Sequence, residues 1–251
     1  KELGKRFADD RRTQTVAEIE EMAIEDLIAD EDVVITISHS GFIKRLPVAS
    51  YRRQGRGGKG ITGAELREED FIEHLFIAST HDYLLCFTDR GRIYWLKVYD
   101  IPQASRQSKG RSIANLAELQ SGEKLTAFVK IREFKEDQFL VMVTAQGLIK
   151  KTSLSAFSHP RRGGIVGIGL EGGDRLIRVL LSDGDQELLL ATASGKAIRF
   201  HEKQVREMGR GAKGVRAVSL AKQDRVVGMA FCKKGAKVLT VTSAGFGKRT
   251  P

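Results

Sequence analysis

One short pattern recurs five times along the 251 residues: an apolar run, then Ser or Thr, two further residues, Gly, and a second run that carries basic side chains. The copies are VITISHSGFIKR (34–45), LLCFTDRGRIYW (84–95), VMVTAQGLIKK (141–151), LLLATASGKAIRF (188–200) and VLTVTSAGFGKR (238–249). Their glycines, Gly41, Gly91, Gly147, Gly195 and Gly245, follow one another at intervals of 50, 56, 48 and 50 residues. Repetition at that period constrains the fold more than any single segment, because each copy must be one supersecondary unit that buries its apolar surface against its neighbours.

Each copy reads as a β-hairpin: β-branched and large apolar residues flank a short polar turn, and glycine accepts the positive φ that the end of such a turn demands. Ser38, Thr88, Thr144, Thr192 and Thr242 open the turns, and their hydroxyls are placed to bond nearby backbone. An acid-led apolar run precedes four of the turns, at Asp70–Ala78, Glu123–Ile131, Asp174–Leu181 and Asp224–Phe231, and is predicted to be the outer strand of the unit that follows. Gly164–Leu170 supplies a fourth strand after the third turn. Four strands per unit, arranged radially, make an all-β, propeller-like architecture.

Residues 1–30 differ in kind. Val16–Ala29 fits an amphipathic helix, with a strand at Asp26–Ile28 as the alternative, and Lys1–Thr13 reads as a connector from a preceding domain. The predicted division is therefore 1–30 for the connector and 31–251 for the repeats. A chain that begins at Lys1 and stops at Thr250 and Pro251, after the start of the fifth repeat, is expected to be a piece of a longer protein.

Charge is distributed unevenly. The net charge is +10, yet residues 1–32 hold 5 basic and 11 acidic side chains, which leaves 37 basic and 21 acidic ones beyond them, a surplus of 16. Such a field favours a polyanionic partner. No run of 18 apolar residues and no signal peptide occurs, so neither membrane spanning nor secretion is expected and the cytoplasm is the expected location. Cys86 and Cys232 lie far apart in strand-like runs and are expected to be buried, reduced thiols. His39, His74, His81, His159 and His201 form no ligand cluster, so no metal is expected.

The basic residues fall into two registers. Lys59, Lys109 and Lys213 stand 18 residues past the turn glycine of units one, two and four, each followed by glycine; GRGGKG at 55–60 is echoed by GRGAKG at 209–214. Unit three has Ile165 at that place, with Arg161 and Arg162 just upstream. The second register lies on the hairpins: Lys44 and Arg45, Lys150 and Lys151, Lys196 and Arg199, Lys248 and Arg249, with Arg92 and Lys97 serving unit two. Arg111 and Arg210 join the loop set. Taken singly, each is a solvated strand-edge charge. Taken together, equivalent positions of a radial repeat share one rim and form a belt suited to duplex phosphates.

Gly55–Gly60 also matches GxGxxG, a weak signal for a dinucleotide site. The context opposes it: the segment follows polar residues 50–54 rather than a buried strand, and Gly63 interrupts the helix that should follow. Gly58-Lys59 is followed by Gly60 instead of Ser or Thr, so it is no Walker A loop either. A nucleotide loop has no reason to be copied at blade spacing, whereas a loop tracking a long polyanion has one. No GxSxG elbow, HExxH helix or His/Cys pair supports catalysis. Aromatic residues are not interleaved with the basic loops as single-strand stacking requires; Tyr51 is the main exception, and Trp95 reads as blade packing.

At Gln54-Gly55-Arg56-Gly57-Gly58-Lys59-Gly60 the chain resembles the glycine-rich basic box of the C-terminal domain of DNA gyrase A, in the type IIA topoisomerase family. MGRGAKGVR (208–216) and GFGKRT (245–250) resemble the rest of that domain, and LGKRFADDRRT resembles its connector. Gly55 stands where the family often has arginine. The resemblance implies a β-pinwheel, normally six-bladed, whose blades exchange strands and whose basic rim wraps duplex DNA with positive handedness, biasing the enzyme toward negative supercoiling. It further implies a non-catalytic chain that needs no cofactor, partnered by the rest of the gyrase A polypeptide and by the gyrase B protein in an A2B2 enzyme. Tyrosine chemistry, ATP and Mg2+ then belong to other domains. The corresponding topoisomerase IV domain shares the blades but has a degraded box, and a protein-interaction propeller with merely solubilising rim charges is the rival from another class.

Overall fold

The computed structural model describes residues 24–50 and 70–251, together with Glu2 and Arg6. In chain order its strands are β1 Asp32–Ser38, β2 Phe42–Pro47, β3 Ile72–Ser79, β4 Tyr83–Thr88, β5 Arg92–Lys97, β6 Arg111–Ser112, β7 Leu125–Ile131, β8 Phe139–Thr144, β9 Leu148–Ser153, β10 Ile165–Val166, β11 Leu176–Ser182, β12 Glu187–Thr192, β13 Ala197–His201, β14 Val215–Arg216, β15 Val226–Phe231, β16 Val238–Val241 and β17 Gly247–Thr250. One five-residue helix, α1 (Ile113–Ala117), follows β6.

All five predicted hairpins form: β1–β2, β4–β5, β8–β9, β12–β13 and β16–β17. Their glycines take φ between 73° and 82°. The Ser38, Thr88, Thr144 and Thr242 hydroxyls each accept the amide four residues on, at 3.2 Å. A side-chain acceptor there satisfies an amide that the reversal would leave without a partner.

Each sheet grows around its hairpin from both sides. The orders are β3-β1-β2-β6, β10-β5-β4-β7 and β11-β8-β9-β14, followed by the three-stranded β13-β12-β15 and the two-stranded β16-β17. The acid-led strands therefore pair with the hairpin before them rather than the one after, which corrects the predicted assignment. The acids explain why. Asp70, Asp174 and Asp224 accept the turn amides of Ser40, Gln146 and Ser194 at 3.0, 2.9 and 3.0 Å, so each acid clamps the turn it has just left. In the second sheet the roles are exchanged: Asp89, on the turn, accepts the amide of Lys124 at 2.9 Å.

No strand is thus needed ahead of β1. Ile24–Leu27 is a single 3-10 turn, neither the predicted strand at Asp26–Ile28 nor part of an α-helix, and Ile28 and Ala29 are irregular; residues 16–23 of the predicted helix lie outside the described residues. The expected strand at Gly164–Leu170 shrinks to β10, and it completes the sheet of the second hairpin rather than the third.

The first four sheets pack face to face in succession, whereas β16 and β17 are exposed along their whole length. Leu84 and Cys86 of β4 join Val33, Ile35 and Ile37 of β1 in one core, while Leu85 and Phe87 of the same strand join Leu140 and Met142 of β8 in the next. Val141 and Val143 then face Leu188 and Leu190 of β12. A strand buried on both faces needs a near-continuous apolar run, and this is why β1, β4 and β8 show no polar alternation. The strands β7, β11 and β15 lie against one another in succession and mark the inner edge of the stack. The two-residue strands β6, β10 and β14 form the opposite, outer edge.

Candidate nucleic-acid interface

The outer-edge strands are the ends of three straps, each reaching from beyond one hairpin back to the sheet before it. A strap can pair so closely only where a glycine leads into the strand. Gly110, Gly164 and Gly214 have φ of +86°, +69° and +97°, and a Cβ on them would stand 2.5, 2.7 and 2.5 Å from the carbonyl oxygens of Ile43, Ile93 and Ile149. The Lys-Gly echo therefore has a structural half: its glycine is required by the strand crossing. The same three contacts correct the alignment of unit three, where Gly163 rather than Ile165 matches Lys109 and Lys213.

On the straps Lys109, Arg111, Arg161, Arg162, Arg210 and Lys213 are exposed, on the outer edges of three successive sheets. Lys109 lies over the Phe42 ring at 3.7 Å, and Lys213 pairs with Glu171. Arg161 and Arg210, from adjacent straps, line one open cleft of about 350 Å³ together with Arg92. Half-buried Arg106 and exposed Arg216 complete the set and were missed in the sequence. Arg106 stands four residues ahead of Gly110, as Arg210 does ahead of Gly214 and, in sequence, Arg56 ahead of Gly60, and that spacing was the available signal.

The hairpin register behaves differently, and several of its members are not free charges. Lys44 is 3% exposed and Lys150 0%. Lys44 donates to the carbonyls of Ser105, Arg106 and Ser108 at 3.1, 2.7 and 2.7 Å. Lys150 donates to Gly167 at 2.6 Å and to Arg210. Burial holds both ammonium groups below the usual lysine range, and Lys150, with Arg210 nearby, is brought down to about 8. Arg92 donates to the carbonyls of Gly163 and of Gly164, the latter at 3.1 Å.

Lys151 is buried against Glu202 at 3.3 Å, Lys97 pairs with Glu25 and lies 3.6 Å from the Tyr83 ring centroid, and Arg45 donates to Ile101 at 2.6 Å. Arg199 is paired with Glu187. Lys196, Lys248 and Arg249 are exposed. The physical reason for the correction is that β2, β5 and β9 lie beneath straps, so Lys44, Arg92 and Lys150 meet strap carbonyls before they reach solvent, whereas Lys97, Lys151 and Arg199 are held by carboxylates outside the straps.

Among the described residues no group of His, Cys, Asp and Glu has metal-site geometry, and no helix is long and apolar enough to cross a membrane. Cys86 is buried, with a thiol that burial pushes up, and Cys232 is half-buried.

The family described as "DNA gyrase C-terminal domain, beta-propeller" matches residues 32–79, 82–132, 138–183, 186–233 and 236–251, so its five segments coincide with the five hairpin units. The chain belongs to this DNA gyrase C-terminal domain family. The gyrase A protein of Salmonella typhimurium is 49% identical over 244 residues, covering 97% of this chain, and that of Staphylococcus epidermidis is 44% identical over 254 residues, covering 100%. The chain spans about 28% of the length of these gyrase relatives.

Among solved structures, the C-terminal domain of DNA topoisomerase IV superposes with a TM-score of 0.75 at 29% identity, covering 88% of this chain and 68% of that one. The DNA gyrase A C-terminal domain gives 0.68 at 28% identity, covering 87% and 71%. The strand exchange and stacked four-stranded sheets are those of the gyrase family's β-pinwheel, as the resemblance implied. The box that carries the resemblance, Gln54–Gly60, lies outside the described residues.

Proposed function

We propose that this chain is the DNA-wrapping part of a gyrase A protein, binding duplex phosphates along its outer edge and bending the duplex around it. The observation that carries the reading is the row of exposed cationic straps on three successive sheets, with Arg161 and Arg210 meeting in one cleft. Phosphate contacts of this kind position a duplex without reading its sequence, and several are needed to offset the elastic cost of bending. The box at Gln54–Gly60 has the same glycine-rich basic composition, at the corresponding spacing from its turn glycine. In this reading the chain carries no catalytic tyrosine, ATPase or cofactor of its own. It works in the cytoplasm beside the rest of the gyrase A polypeptide and the gyrase B protein, in an A2B2 enzyme that uses ATP and Mg2+ elsewhere to introduce negative supercoils.

A topoisomerase IV role is the second reading, favoured by the fit to that domain's structure. The identity to gyrase A sequences, with GRGGKG intact at 55–60, weighs against it.

The test is to bind the chain to nicked circular DNA, ligate, and measure linking number. A protein-dependent positive shift is expected, and an unchanged distribution overturns wrapping. Affinity should fall with salt at a log–log slope of roughly −0.9 per phosphate contact; a flat dependence indicates a protein-interaction propeller instead. Replacing Gln54–Gly60 with alanines in the full enzyme should abolish supercoiling while sparing relaxation, and equal loss of both would assign the box to folding.

A further inference from the structure

Lys44 and Lys150 stand three residues past the turn glycines Gly41 and Gly147, and each donates to the carbonyl of a strap arginine, Arg106 and Arg210 respectively. Those arginines share one place, four residues ahead of Gly110 and Gly214. In the intervening sheet the third place past the turn holds Tyr94, and Arg92 does the equivalent work on Gly163 and Gly164. The same connection is thus made three times, from a hairpin strand up to the strap that covers it.

An ammonium has three donors. Lys44 uses all of them on Ser105, Arg106 and Ser108, so none is left for a phosphate. A carbonyl drawn inward fixes its whole peptide plane, because the peptide unit is rigid, and thereby fixes how the preceding residue leaves the backbone. We propose that Lys44 and Lys150 are positioning residues that lock Arg106 and Arg210 in place toward the polyanion while never touching it. The ligand in this inference rests on the DNA reading above; the lock itself belongs to the free protein.

The experiment is a double-mutant cycle on duplex affinity against salt concentration, using the whole chain with Lys150→Met, Arg210→Ala and the pair. If Lys150 acts through Arg210, each single variant lowers the slope by one contact, roughly 0.9, and the double variant lowers it no further. Additive losses, roughly 1.8 for the pair, would make Lys150 a direct contact and overturn the proposal. A lowered Tm with an unchanged slope would overturn it too, leaving a purely structural lysine. Should Lys150→Met fail to fold, lysine acylation of the unmodified chain decides. Lys44 and Lys150 are expected to react slowly with or without duplex, while exposed Lys109 and Lys213 react fast and are protected by it. Fast labelling of Lys44 or Lys150 that duplex suppresses would sink the lock. Absence of duplex binding at low salt would instead sink the DNA reading itself, and the two failures are distinguishable.

Discussion

At the scale of the residue, a buried lysine among carbonyls must show itself in its titration. Lys150 has its pKa brought down from 10.5 to about 8 by burial, with Arg210 adding to the effect. Between those values the unfolded chain binds a proton that the folded chain does not, so stability rises with pH across the window. The expected result is that the denaturant midpoint of the wild type, relative to Lys150→Met, climbs between about pH 8 and 10.5; a flat difference contradicts it. Gly214 offers a second test. Alanine there would need φ of +97° and a contact of 2.5 Å with the Ile149 carbonyl. Gly214→Ala should cost more than about 1 kcal/mol in stability, measured by denaturant titration, while Gly195→Ala meets no atom within 4 Å and pays only for its φ of +81°. The type of each of these residues was plain in the sequence, but its surroundings were not. Lysines in a basic run look alike, and only the strap lying over β2 and β9 separates Lys44 and Lys150 from exposed Lys109 and Lys213.

At the scale of the element, the turns of the first, third and fourth hairpins are each closed by an aspartate that lies well beyond them in sequence. Asp224 accepts from the Ser194 hydroxyl at 2.6 Å and from the Ser194 amide at 3.0 Å, and those bonds hold its carboxyl down to about 2. A carboxylate with a depressed pKa stabilises the fold above its unfolded value of 3.8 and loses that contribution as pH falls through about 2. The protection of the Ser194 amide, its exchange rate relative to the intrinsic rate at the same pH, should therefore fall in the wild type over that window, whereas Asp224→Ala should show the lower protection already at neutral pH. Equal exchange in both proteins at neutral pH would contradict the clamp. The hairpins themselves were legible because apolar runs and Ser/Thr-x-x-Gly turns are local signals. The partners of the outer strands were not, since an apolar run pairs equally well with the hairpin on either side. What ties each outer strand to the preceding turn is an aspartate–amide hydrogen bond, with the aspartate on the outer segment in three sheets and on the turn, as Asp89, in the second.

At the scale of the whole molecule, the cores lie between sheets, so each layer belongs to two repeats at once. Leu140, fully buried between the second and third sheets, should cost about 2–5 kcal/mol as alanine, and the loss should appear in one cooperative unfolding transition shared by both. Separate transitions would mean that the sheets fold independently. The period near 50 residues made the radial stack legible, whereas the strand exchange was not readable from spacing, because two-residue strands carry no periodic signal. That exchange has a consequence for synthesis. Lys44 closes on Ser108, 64 residues later, Arg92 on Gly163, 71 later, and Lys150 on Arg210, 60 later. A ribosome emitting this chain has made the second hairpin before the first sheet acquires its outer strand, and the third before the second does. The nascent domain thus always travels with one unfinished edge, in need of protection until the following repeat emerges.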